Sequence, residues 1–95
     1  MRMMKDLGIR TEETAQMTLK EECVLYGGLS LLYRLIAERR RKQTRFFVSV
    51  ELNGERAGSY LGDDLLRAWD TYSKLVRGAV TPCSLQEVLS DLKVV

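Results

Sequence analysis

Arg45-Phe46-Phe47-Val48-Ser49-Val50-Glu51-Leu52-Asn53-Gly54-Glu55-Arg56-Ala57-Gly58-Ser59-Tyr60 reads as a β-hairpin, and the rest of the chain arranges itself around it. Phe46, Val48, Val50 and Leu52 alternate with Phe47, Ser49 and Glu51, the period of a strand with one buried face. Asn53-Gly54 supplies two residues that tolerate positive φ, as a two-residue type I′ turn requires. That turn pairs Val50 with Ala57, Val48 with Ser59 and Phe46 with Leu61 on the inner face. On the outer face it pairs Glu51 with Arg56 and Phe47 with Tyr60, an ion pair and an aromatic pair. Both faces agree with one register.

Working back from the hairpin, Leu29–Glu38 carries apolar residues that fit either a strand or an amphipathic helix. Register favours the strand. A tight four-residue connection at Arg40–Gln43 sets Ala37 opposite Phe46, Leu35 opposite Val48, Tyr33 opposite Val50 and Leu31 opposite Leu52. One continuous inner face results. Before it, Met17–Tyr26 alternates as a strand would and ends at Gly27-Gly28; a helix over Thr11–Tyr26 is the alternative. A three-residue loop at Tyr26–Gly28 puts Leu25, Cys23, Leu19 and Met17 on the inner face, and a two-residue loop flips them outward. Residues 1–13 show no sustained period and read as a partly ordered leader to a single domain over 14–95.

Beyond Tyr60 the period becomes helical. Asp63 or its neighbour caps a helix with the stripe Leu65, Ala68, Trp69, Tyr72, Leu75 and Val76, ending at a left-handed Gly78. Arg67, Asp70, Thr71, Lys74 and Arg77 fall toward the wet side. After Thr81-Pro82-Cys83 comes a second helix with Leu85, Val88, Leu89 and Leu92 on one face. Ser84 and Glu87 form a capping box there, and Cys83 with Val88 a hydrophobic staple. The expected architecture is α+β: a three- to four-stranded antiparallel meander with two C-terminal helices on its apolar face.

Three stretches resemble a known family: Tyr33-Arg34-Leu35-Ile36, Phe47-Val48-Ser49-Val50-Glu51, and Val80-Thr81-Pro82-Cys83-Ser84-Leu85-Gln86-Glu87-Val88-Leu89-Ser90-Asp91-Leu92. They are similar to short bacterial proteins of clostridial genomes classed as a domain of unknown function. The likeness spans about Leu19–Leu92, and Thr-Pro-x-x-Leu-x-x-Val-x-x-Asp is its sharpest feature. It implies a bacterial protein and a strand at Tyr33–Ala37, and it brings no catalytic residue, ligand or partner.

Composition narrows the chemistry. The chain has 95 residues, 45% hydrophobic and 29% charged, and is an ordinary globule in these terms. It has no histidine, which rules out Ser-His-Asp, Cys-His and His-metal arrangements. No apolar run approaches the roughly 18 residues of a membrane span, so a cytoplasmic location without membrane contact is expected. The two cysteines, Cys23 and Cys83, lack metal or redox spacing and are expected as small buried side chains. Cys83 precedes a predicted helix N-terminus, a setting for a reactive thiol if exposed, so a thiol enzyme or redox sensor is the third functional reading.

Two other surfaces stand before it. Arg39, Arg40, Arg41, Lys42 and Arg45 crowd the predicted turn and leave the remainder slightly acidic. They are candidate phosphate contacts, with Phe47 and Tyr60 as a stacking surface, or else a soluble edge. Leu32, Ile36, Phe47 and Tyr60 make the outer sheet face more apolar than water requires, the mark of an interface or of a face that the leader or one helix folds over. The leading expectation is a non-catalytic interaction or regulatory module without cofactor or metal, acting as a homodimer or with a separate protein partner. A nucleic-acid-binding accessory protein is the alternative.

Overall fold

The computed structural model describes residues 15–92, and the leader at 1–13 lies outside the described residues. Four strands, β1 (Ala15–Tyr26), β2 (Leu29–Arg40), β3 (Gln43–Leu52) and β4 (Glu55–Gly62), form one antiparallel sheet in chain order. Helix α1 (Leu65–Arg77), a 3₁₀ turn (Pro82–Ser84) and helix α2 (Leu85–Asp91) follow. This is the expected α+β meander, with the fourth strand present.

The β2–β3 register is the one read from the sequence: Ala37 faces Phe46, Leu35 faces Val48, Tyr33 faces Val50 and Leu31 faces Leu52. The β3–β4 register also follows the Asn53-Gly54 turn, whose two residues have φ of 51° and 87°. One pair departs from it. Phe46 lies opposite Gly62 rather than Leu61, because β4 bulges there and carries Leu61 as an extra residue. Leu61 still turns into the core, and Gly62 takes φ 93° to leave the sheet.

The segment before Gly27-Gly28 is a strand. The turn has two residues, both at positive φ, so Tyr26 pairs with Leu29 and does not belong to the loop. Leu25 and Cys23 therefore face outward, not inward as the longer loop would place them. A bulge between Thr18 and Lys20 restores the parity, so Met17 faces Ala37 on the inner side and Leu19 packs against the core. The inner face of β1 thus carries Lys20 and Glu22, opposite Leu35 and Tyr33. Two inward charges and a bulge on an edge strand discourage pairing with another sheet.

The core lies between the sheet and the helices. Leu31, Tyr33, Leu35, Val48 and Val50 meet Ala68, Tyr72, Leu75, Leu85 and Leu89 there, all essentially inaccessible. Tyr33 donates to the Val80 carbonyl at 2.9 Å, tying the interhelical loop to the sheet, and Tyr72 donates to the Tyr33 carbonyl at 3.4 Å. Burial pushes the Tyr33 phenol up to about 12. Burial first, then the neighbouring Glu22 carboxylate, also raises that of Tyr72.

Asp64 caps α1, accepting from the Leu66 and Arg67 amides at 3.0 and 3.4 Å. The other end differs from expectation. Gly78 keeps helical φ (−86°), and Ala79 takes the left-handed position at φ 50°. Val80 N–H bonds the Leu75 carbonyl and Ala79 N–H that of Val76, a Schellman closure one residue later than read. The helix is also rotated. Thr71, expected on the wet side, is buried, while Leu65 and Trp69, expected in the stripe, are 45% and 40% exposed. The cause is β1: beneath that side of α1 its inner face is charged, and Lys20 sits 5.6 Å over the Trp69 ring.

At α2 the expected capping box and staple are absent. Pro82 starts the 3₁₀ turn, so Thr81 is the extended residue and Ser84 is already helical, with no capping bond from its side chain. Thr81 and Ser84 hydroxyls lie 3.1 Å apart instead. Cys83 is exposed as a result, and so is Cys23 through the β1 register, against the expectation that both would be buried.

Candidate interaction surfaces

Both helices pack on one side of the sheet, and among the described residues nothing covers the other. The strand registers arrange that open face in rows. Thr18, Ile36, Phe47 and Tyr60 lie side by side across all four strands. Phe47 and Tyr60 meet edge to face, with centroids 5.1 Å apart and planes at 68°. Gly58 makes room for the Phe47 ring, since a Cβ there would come within 2.4 Å of it. Leu32 is on the same face but two rows along, beyond the Glu21–Arg34 pair. Ile36, Phe47 and Tyr60 thus form one patch, and Leu32 stands apart.

The carboxylates of this face are matched within it. Glu21 pairs with Arg34 at 3.5 Å, Glu38 with Arg45 at 3.5 Å, and Glu51 with Arg56 at 3.4 Å. Glu38 also accepts from the Tyr60 hydroxyl at 2.8 Å and from Gln16 at 3.2 Å. These hydrogen bonds, Tyr60 first, lower the Glu38 carboxyl below its usual range, and Glu38 in turn raises the Tyr60 phenol.

The basic segment forms the tip of the β2–β3 hairpin. Arg40 and Gln43 are its last pair, and Arg41 and Lys42 make the turn. Glu38, Arg40, Arg41, Lys42, Gln43 and Arg45 line an open concavity of about 690 Å³. Arg39 is not among them; strand alternation sends it to the helix side of the sheet, opposite Thr44. Arg45 lies 4.3 Å over the Tyr60 ring as well as against Glu38. The aromatic pair expected to stack bases is therefore already engaged by Arg45.

A third surface escaped the sequence reading. Leu65, Leu66 and Trp69 are exposed along one side of α1, Leu66 by 80%, and Met17 at the β1 edge is exposed by 64%. Leu66 is the one signal in the sequence, because it falls outside the expected core stripe of Leu65, Ala68, Trp69, Tyr72, Leu75 and Val76. Cys83 carries little chemistry: its sulfur is 4.0 Å from the Glu55 carboxylate, and the helix after it has only seven residues.

Among the described residues no three potential metal ligands converge, and no helix is long and apolar enough to cross a membrane. No family model, curated protein or solved structure matches the chain. The resemblance to the clostridial family rests on the quoted residues alone.

Proposed function

We propose that this chain is a non-catalytic interaction module of the bacterial cytoplasm that pairs with a second copy through the open sheet face. One observation carries the proposal. The face presents Ile36, Phe47 and Tyr60 in a row, while each of its three carboxylates is matched to an arginine of the same face. Such a surface offers apolar area whose carboxylates are already paired, with Arg40 as a further charge toward the hairpin tip, so a copy of itself meets little like-charge repulsion around the patch. The sheet edges are less suited. The β1 edge has inward charges, and at β4 the Gly58 carbonyl accepts from Gln86 at 3.3 Å. The absence of histidine supports the non-catalytic reading.

The test is mass in solution. Phe47→Asp buries an unpaired charge at the contact and should weaken the dimer by about 3 kcal/mol, roughly a hundredfold, with the circular dichroism spectrum unchanged. Leu66→Asp and the Arg40→Ala/Arg41→Ala double variant should leave the mass as it was. A wild-type monomer sinks the proposal. The exposed Leu65, Leu66 and Trp69 then become the surface for a separate protein partner, since tryptophan-centred apolar strips are typical anchors.

A further inference from the structure

Helix α1 buries Thr71 to 8% exposure, and its hydroxyl has no hydrogen-bond partner among the described residues. A buried helical threonine ordinarily returns its hydroxyl to a backbone carbonyl of the preceding turn. That bond is not made here. A buried hydroxyl left unbonded costs free energy, and native structures seldom keep one without a reason.

Thr71 lines a cavity of about 150 Å³ beside the start of α1, together with Leu61, Gly62, Asp63, Asp64 and Arg67. Asp64 already commits its carboxylate to the Leu66 and Arg67 amides, so those donors of the first turn are not open to an anion. Asp63 and the Arg67 guanidinium are different. Both residues line the cavity, yet neither side chain has an ion pair or hydrogen bond among the described residues. A carboxylate, a guanidinium and a buried hydroxyl thus border one space without bonding to one another.

We infer that this cavity binds a small α-amino acid as its zwitterion. The Arg67 guanidinium and the Thr71 hydroxyl, one helical turn apart on α1, donate to the ligand carboxylate. The Asp63 carboxylate accepts from the ligand ammonium. A bare anion would face Asp63 and a bare cation would face Arg67, whereas a ligand with both charges satisfies all three groups. Size agrees. The space is that of about five waters, and glycine, alanine and serine are molecules of that size. The site lies on the helix side of the sheet and stands whether or not two copies pair through the open face.

The experiment is an amide NMR titration of the full chain with glycine, alanine and serine, and with acetate and methylammonium as the two halves of the ligand. The Gly62, Asp63 and Thr71 amides should shift together and saturate in the millimolar range, as suits so small a ligand. Acetate and methylammonium should each bind at least about tenfold more weakly, because each leaves one charged group unmatched. Arg67→Gln, at an exposed position, should weaken glycine by about tenfold or more. Thr71→Val should weaken it too while keeping or raising the melting temperature, since the hydroxyl it removes bonds nothing in the fold. The absence of shifts at these amides in about 50 mM glycine would overturn the inference. So would acetate or methylammonium that matches glycine, or a Thr71→Val variant that binds as before.

Discussion

Tyr33 joins the two layers at the scale of a single side chain. Its ring is fully buried on the inner face of β2, and its hydroxyl satisfies the Val80 carbonyl at 2.9 Å. Tyr33→Phe keeps the packing and leaves that carbonyl without its donor, so it should cost about 1–3 kcal/mol in urea unfolding. The phenol has a pH signature too. Its folded value of about 12 lies above the usual value for a free tyrosine, so the neutral form is favoured in the native state. The stability it contributes is whole below about pH 10, the unfolded value, and is lost as pH rises through the folded one. The urea midpoint should fall over that interval, and fall less in Tyr33→Phe, which removes one of the buried phenols that resist ionising.

At the scale of elements, the ends of α1 show how capping is shared between sequence and context. Asp64 was one of two adjacent candidates, and the bulge at Leu61 with the exit at Gly62 brings it rather than Asp63 to the cap. The C-terminal closure passes over Gly78 and puts Ala79 at φ 50°, because Val80 must reach the core and bond the Leu75 carbonyl. Ala79→Gly relieves that residue and should raise stability by about 1 kcal/mol, a few degrees in melting temperature. The gain would be smaller to the extent that the Ala79 methyl packs on the core.

For the whole molecule, what matters is which surfaces are left for partners. The helices cover one sheet face, Gln86 reaches one edge, and the opposite edge carries Lys20 and Glu22 turned inward. Replacing both with valine in Lys20→Val/Glu22→Val would extend the apolar floor beneath Trp69. It would also remove the charges that keep β1 from pairing with another sheet. The variant should scatter light progressively at concentrations where the wild type keeps a constant mass. A variant with an unchanged mass would show that the bulge alone protects the edge.

The strand registers on either side of β3 were legible in the sequence because side-chain alternation and the Asn53-Gly54 turn both constrain them. A slip of one residue would have exchanged the faces of Phe46, Val48 and Val50. Legible for the same reason were the outer positions of Ile36, Phe47 and Tyr60 and the basic tip, since face and turn position follow from register. Four things were decided by tertiary structure: the bulges at Thr18–Lys20 and at Leu61, the rotation of α1, the shifted caps, and the exposure of Cys83, Leu65 and Trp69. Each is a compromise between a local preference and a neighbour distant in sequence. A helix stripe gives the residues able to face a core, but Lys20 and Glu22, some fifty residues earlier, determine which of them find an apolar floor.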